Sequence, residues 1–341
     1  MSVQTRQQRT SMRHLSRLTD DRGIFEHALG HHPRFTHGYC TDDNARLLIV
    51  AVRGNSHEPE SEILARVATR FLLDALQQDG RMHNRMSFER MWEDEPSAAD
   101  CWGRAMWAFG AAVTRSTDTE LRNRCYEAFG IGAHAHPRDL RSKCFAVLGA
   151  AEILSIDALH EGAQGIMFDA AASLHALSTG SNEWPWPEKR LTYANALIPD
   201  AMVACGHALR DEQLATRGLM LLKWLTELQT VDEHLTIVPV GGLGIGESLG
   251  QFDQQPIEVS TIASAAERAL NLTDDLYWKS VIEMCASWFL GNNDSGFSMI
   301  DLDSGGGYDG LERCGVNLNQ GAESTLAMLS TMQINSSTWL V

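Results

Sequence analysis

Basic side chains are scarce in this chain. Twenty-eight Lys and Arg stand against 44 Asp and Glu, a formal net charge of −16 at pH 7. Phosphate backbones and anionic membranes are held by basic surfaces, so nucleic acid and membrane surfaces are not expected partners. No apolar run approaches the roughly 20 residues that a spanning helix needs. No Cys-x-x-Cys pair, His-Glu-x-x-His motif or phosphate loop is present. Gly242 to Gly246 (GLGIG) lacks the following helix that a dinucleotide fingerprint requires. No metal and no cofactor are implied. Strand signals are equally few. Leu235 to Val240 is one short candidate, and Pro239 demotes it to an edge or loop piece.

The seven cysteines, at 40, 101, 125, 144, 205, 285 and 314, are odd in number and widely spaced. Five fall in apolar helix-like segments, where Cys behaves as a small hydrophobe. This usage reads as a reducing cytoplasm. Arg6, Arg9, Arg13 and Arg17 precede any acid, a faint likeness to an organelle transit peptide. Without an apolar stretch this is not a secretory signal. Residues 1–10 are expected as a disordered arm, 11–335 as one domain and 336–341 as a tail.

What the chain has is helical periodicity, in two kinds. Ser61 to Gln77 is amphipathic, with Ile63, Leu64, Val67, Phe71, Leu72 and Leu76 on one side. Asp118 to Phe129, Gly162 to Leu177, Asp211 to Leu228 and Asp274 to Leu290 read alike, with Thr273 and Asp274 as N-cap candidates for the last. The second kind is Ala-rich and apolar all round: Asp42 to Val52, Asp100 to Val113, Arg141 to Leu154, Asn195 to Ala208, Ile257 to Leu270 and Ala322 to Met332. Helices apolar on every side are buried between other helices. The two kinds alternate, with a spacing of roughly 56 residues between buried helices, above the usual single-repeat periods. An all-α (α/α)6 toroid satisfies this pattern, with an inner ring wrapped by outer helices. A linear solenoid of helical hairpins is the other solution.

In a toroid the N-terminal ends of the inner helices converge at one mouth, with the loops before them. Carboxylates, amides, arginines and aromatics collect in those segments, and that mixture points to carbohydrate. Sugar hydroxyls meet Asp, Asn, Gln and Arg, and sugar CH faces meet aromatic rings. Trp184 and Trp186 read as a stacking wall, with ordinary loop packing as the alternative. Glycoside hydrolysis needs one acid for the leaving oxygen and one base or nucleophile. Asp42 and Asp43 are adjacent and cannot oppose each other, so one is catalytic and the other caps or pairs with Arg46, unless both are caps stabilised by the helix dipole. Asp100 and Arg104 suit an intrahelical ion pair. Glu258 and Glu323 each begin an inner helix. Glu188 lies among tryptophans, where an apolar setting would raise its pKa and suit a general acid. The histidines at 27, 31, 32 and 37, and at 134 and 136, read as solvated loops rather than a metal site.

Five ordered motifs carry a resemblance: HLSRLTDDRGIFEHA (His14 to Ala28), GYCTDDNAR (Gly38 to Arg46), LTYAN (Leu191 to Asn195), FDQQP (Phe252 to Pro256) and NLNQGAESTL (Asn317 to Leu326). They resemble a bacterial family of six-hairpin, glycosidase-like proteins. Members often carry a glycosyltransferase label, and some are fused to or encoded beside glycosyltransferases and mannoside phosphorylases. The resemblance covers about residues 14 to 333. It implies an (α/α)6 fold, with glycosyltransferase or phosphorylase pathway neighbours, but no settled reaction. Relatives carry an Asp where this chain has Ala194, and their segment before Asp253 is longer.

The leading expectation is a glycoside hydrolase acting on an oligosaccharide, with mannose-containing glycans preferred. Toroid glycosidases are commonly inverting, which places a water between carboxylates about 6.5–9.5 Å apart. Asp43 and Glu188 are the expected acid/base pair, with Asp42, Glu258 and Glu323 in reserve. Tyr39, Arg46, Trp184, Trp186, Tyr193, Asn195, Gln255, Asp309, Asn317 and Asn319 are the expected sugar-binding residues. Two rival readings stand beside it. A sugar epimerase or isomerase would use a proton-abstracting His, with His27 and His37 the nearest. A non-catalytic glycan-binding partner would explain Ala194.

Overall fold

Helices dominate the structure, a computed structural model that describes residues 11–54 and 59–338. The expected arm at 1–10 lies outside the described residues, as does 339–341 of the expected tail. In chain order the helices are α1 (Arg13–Leu18), α2 (Thr41–Arg53), α3 (Pro59–Ala75), α4 (Asp100–Arg115), α5 (Thr119–Gly132), α6 (Leu140–Ile156), α7 (Glu161–His175), α8 (Leu197–Leu209), α9 (Glu212–Leu228), α10 (Pro256–Thr273), α11 (Leu276–Phe289) and α12 (Ala322–Ser337). The last runs through part of the expected tail. The even-numbered helices are the Ala-rich, all-round apolar segments. Each packs on the next, and α12 packs on α2, so the inner ring closes. The odd-numbered helices lie outside it, with the short α1 against α12 and α3. This is an (α/α)6 toroid, and ring closure excludes the linear solenoid.

Small residues set how tightly the ring is drawn. A Cβ on Gly149 of α6 would lie 2.2 Å from the Met106 carbonyl oxygen, and one on Gly110 of α4 2.4 Å from that of Gly149. At Gly103 the same atom would meet the Ser142 carbonyl at 2.4 Å. Backbone thus touches backbone along the α4–α6 seam, which only glycine permits. The outer helices are held by side-chain caps. Asp118, Asp211 and Asp275 accept backbone N–H groups at the starts of α5, α9 and α11.

Three local expectations are corrected. Thr273 and Asp274 do not cap α11: Thr273 still belongs to α10, Asp274 ends it in the left-handed region at φ 55°, and Asp275 caps instead. Ile63 turns to solvent, because the buried side of α3 follows Leu64, Ala68, Phe71, Leu72 and Ala75. The strand expected over 235–240 shrinks to the ribbon Thr230–Val231 with His234–Leu235, and Pro239 stays in a loop. The Gly241 to Gly250 loop is pinned midway, where Leu243–Gly244 pairs with Arg190–Leu191. Cys101, Cys125, Cys144, Cys205 and Cys285 are buried as expected of small hydrophobes.

Candidate functional site

The N-terminal ends of the inner helices do converge, and their side chains form one connected network. Arg46, a turn into α2, is its hub. It donates through Nη1 to Asp43 Oδ1 at 2.6 Å and through Nη2 to Glu323 Oε2 of α12 at 2.6 Å. Nη2 also reaches the Tyr193 hydroxyl at 3.4 Å. Arg104 of α4 donates to that same hydroxyl from the other side. Its guanidinium lies 4.0 Å from the Phe145 ring centroid, and its Nε lies 3.3 Å from Asp42 Oδ1. That last pair lacks hydrogen-bond alignment, so both buried atoms keep unmet capacity. The intrahelical pair expected between Asp100 and Arg104 does not form. Asp100 accepts from Ser142 Oγ instead, and Arg104 spends its charge on the mouth.

Burial and charge set the protonation of this network. Burial pushes the Asp43 carboxyl up to about 6; Arg46 opposes the rise and Glu323 adds to it. Burial acts to lower Arg46, but Glu323 and Asp43 outweigh it and hold the guanidinium well above its ordinary value. Burial also raises Tyr193, against the pull of Arg104 and Arg46. Asp43 is almost wholly enclosed, with Cys40 Sγ 3.2 Å from its second oxygen. Asp42, Glu188 and Glu323 are the more accessible carboxylates, with side chains 22%, 32% and 37% exposed.

The segment entering α8 completes the site. Glu188 does not sit among apolar rings as expected. Arg141, at the start of α6, grips its two oxygens at 3.0 and 2.9 Å and donates through Nε to the Tyr193 carbonyl at 2.8 Å. Glu258, first-turn acid of α10, is buried and turned onto this segment. It accepts from the Ala194 N–H at 2.5 Å, the Asn195 N–H at 3.2 Å and Asn195 Nδ2 at 3.0 Å. Its carboxyl is raised by burial, against those three donors. Ala194 holds a left-handed φ of 45°.

Several expected sugar contacts are placed elsewhere. Trp184 and Trp186 are buried against Trp224 of α9, with centroids 5.5 and 6.2 Å away, so they form an internal cluster and not a stacking wall. Tyr39 is buried, stacks on Phe25 at 4.6 Å and donates to Asp20 at 2.7 Å. Asn195 is buried with its amide committed to Glu258 and the Thr192 N–H. Asp309, Asn317 and Asn319 shape the turn before α12: Asp309 accepts from the Gly321 N–H at 2.7 Å, Asn317 from the Asn319 N–H at 3.2 Å and Asn319 from the Gly30 N–H at 3.1 Å. Gln255 is the exposed residue just before α10.

Arg141 and Glu26 were missed. Glu26 pairs with Arg85 and lies 3.7 Å from His27 Nε2. Its position inside the His14 to Ala28 motif was the available signal, but no spacing marked it. Glu26, Cys40 and Asp43 are a possible metal grouping, one ligand atom from each lying within 4.8 Å of the others. The set fits a cation poorly. Asp43 is already bound by Arg46, Glu26 by Arg85, and burial pushes the Cys40 thiol far up, disfavouring the thiolate a metal would take.

No family model and no curated protein matches the sequence. Solved structures do match the fold. A sugar epimerase from a ruminal bacterium superposes with TM-score 0.71 at 12% identity, covering 96% of this chain and 95% of that one. A cellobiose 2-epimerase from Bacillus thermoamylovorans gives 0.69 at 10%, covering 95% of each chain. An α-mannanase of glycoside hydrolase family 76 from Bacteroides thetaiotaomicron gives 0.62 at 9%, covering 89% and 88%. Identities this low speak to architecture alone: the chain has the six-hairpin (α/α)6 toroid fold that these carbohydrate-active enzymes share.

Proposed function

We propose that the chain is a carbohydrate-active enzyme, a glycoside hydrolase that cleaves an oligosaccharide by carboxylate acid/base catalysis. One observation carries the reading: Asp42 and Asp43 of α2 and Glu323 of α12 gather on a hydroxyl-and-guanidinium centre made by Arg46, Tyr193 and Arg104, and Arg141 ties Glu188 to the Tyr193 backbone beside it. Such a centre offers fixed donors to sugar hydroxyls, and the carboxylates around it offset the positive charge of an oxocarbenium-like transition state. Asp43 has the protonation a general acid needs, since burial keeps part of its population neutral near pH 6. Glu188, fixed by Arg141, is assigned as the base. A mannose-containing oligosaccharide is the preferred substrate, on the family resemblance alone.

The test is an oligosaccharide turnover screen read by mass spectrometry, on the wild-type chain, Asp43→Asn, Glu188→Gln and Ala194→Asp. Cleavage that Asp43→Asn and Glu188→Gln each lower by 100-fold or more supports the assignment. Sugar binding without turnover in every protein, Ala194→Asp included, would replace it with a non-catalytic glycan-binding role.

A second reading rests on His27. It stands 3.7 Å from Glu26, and its ring is 5.0 Å from that of His37. A His beside a carboxylate is the equipment of a proton-transferring epimerase or isomerase. Incubating reducing sugars in D2O separates the readings, because proton abstraction at carbon leaves deuterium in the sugar and glycoside hydrolysis does not.

A further inference from the structure

The opposite end of the toroid holds a cavity of about 590 Å³, at the C-terminal ends of the inner helices. That volume is in the range of small-ligand pockets. The apolar side chains Ile49, Trp107, Phe145, Leu148 and Leu326 fill the space between it and the mouth, around a void of only about 50 Å³. The cavity is therefore separate from the site already described.

Its floor is polar and charge-balanced. Arg115 pairs with Glu152 at 2.6 Å and Arg268 with Asp200 at 2.5 Å. Arg53 meets Glu267 at 3.6 Å, beyond a good hydrogen bond, and donates to Ser330 Oγ at 3.2 Å. Each of the three guanidiniums meets a carboxylate, Glu152 and Glu267 in the lining and buried Asp200 at the small void beneath, which leaves no net charge to attract an ion. The carbonyl ends of the inner helices add partial negative charge there, which weighs further against an anion. What remains is a dense array of fixed donors and acceptors. Asn271 and Gln164 extend it up the wall, and Phe168 of α7 stands at the lip with its side chain largely exposed.

We propose that this cavity is a second binding site, for a neutral polyhydroxylated ligand such as a mono- or disaccharide. Hydroxyls would bridge the planar Arg, Glu and Asn groups, and the Phe168 ring would cover an apolar sugar face. This assignment is independent of the chemistry at the mouth.

The test is isothermal titration of the full-length chain with glucose, mannose and cellobiose, and with inorganic phosphate as a separate probe. Phe168 and Asn271 are exposed, so Phe168→Ala with Asn271→Ala should leave the fold intact, as circular dichroism would verify. The expected result is sugar binding that the double variant weakens at least tenfold and that Glu188→Gln, at the other mouth, leaves unchanged. A crystal soaked with the same sugar should place it between Phe168 and Asn271. No binding of any of the three sugars, binding unchanged in the double variant, or binding of phosphate alone would each overturn the proposal.

Discussion

Arg46 and Glu323 meet at 2.6 Å across the α2–α12 seam, where the ring of inner helices closes on itself. The same guanidinium holds Asp43, so ring closure and site geometry depend on one side chain. Arg46→Met is expected to strand the Asp43 carboxyl in a buried setting, at a cost of about 3–5 kcal/mol. Glu323→Gln should cost far less, below about 1 kcal/mol, because Glu323 is more than a third exposed and screened by water. Urea denaturation of the two variants at pH 7 measures the difference. Equal losses would mean that the seam, and not the buried charge, carries the energy.

Asp43 makes stability depend on pH in a direction opposite to most carboxylates. Its folded pKa, about 6, lies above the ordinary value of 3.8. Between those values the native state binds more protons than the unfolded chain, so this group lowers stability as pH rises from 4 to 6 and imposes a constant penalty above that. Two pH units correspond to about 3 kcal/mol. Relative to wild type, Asp43→Asn should therefore gain stability by up to that amount between pH 4 and pH 7, read from urea midpoints across the range. The hydrolase reading adds a kinetic counterpart. Activity should fall as pH rises through about 6, because the acid must be protonated. A flat stability difference would refute the raised pKa.

Glu258 illustrates how a carboxylate at an inner-helix start can serve the chain itself. It accepts three N–H donors from Ala194 and Asn195, and these fix the segment that follows Tyr193. A glutamine presents one acceptor oxygen and two unwanted donors to the same groups. Glu258→Gln should cost about 2–4 kcal/mol, from buried donors left unpaired. Its effect on substrate binding should exceed that of Gln255→Ala, since Gln255 is exposed and holds nothing in place. Thermal denaturation and sugar titration together decide it. An unperturbed melting temperature would show that the α8 entry is held by its own turn.

The ring of inner helices was legible because burial on all sides leaves a compositional mark: Ala and Gly recur through α4, α6 and α8, where a neighbour must approach. The mouth was legible because toroid geometry brings helix starts together, which placed Arg46, Tyr193 and Glu323 correctly in one region. Partner choice was not legible. Arg104 lies i+4 from Asp100 and yet pairs with Asp42 from another helix, and Glu188 meets Arg141 from 47 residues away. The Trp184–Trp186 pair misled because Pro-flanked aromatics in a loop read the same whether they face a ligand or the distant Trp224. Ile63 misled by a single turn angle, which periodicity does not resolve at a helix start.

The seam between α4 and α6 offers a test of the fold independent of chemistry. Gly149→Ala would place a methyl carbon 2.2 Å from the Met106 carbonyl oxygen, with backbone on both sides and no flexible atom to give way. Overpacking of this kind costs about 1–3 kcal/mol or more. Gly165→Ala, on the outer helix α7 where nothing lies within 4 Å, should instead stabilise by up to about 1 kcal/mol through helix propensity. Opposite shifts in melting temperature are expected, and a tolerated Gly149→Ala would mean that the α4–α6 seam is not held by backbone contact.

The stereochemistry of cleavage distinguishes the two carboxylates that could partner Asp43. Glu323 stands on the neighbouring inner helix and shares one guanidinium with Asp43, a close arrangement that suits a nucleophile and retention. Glu188 is held instead by Arg141 of α6, two inner helices from α2 in the ring, and on the hydrolase reading it is the base of an inverting reaction. With Glu188 as base, the first product released should carry the inverted anomeric configuration, seen by proton NMR before mutarotation. Azide should then rescue Glu188→Gln as a glycosyl azide of inverted configuration, because the anion attacks the anomeric carbon directly and no covalent intermediate forms. Retention in the wild type would move the catalytic role from Glu188 to Glu323 and leave Glu188 as the residue that fixes Arg141.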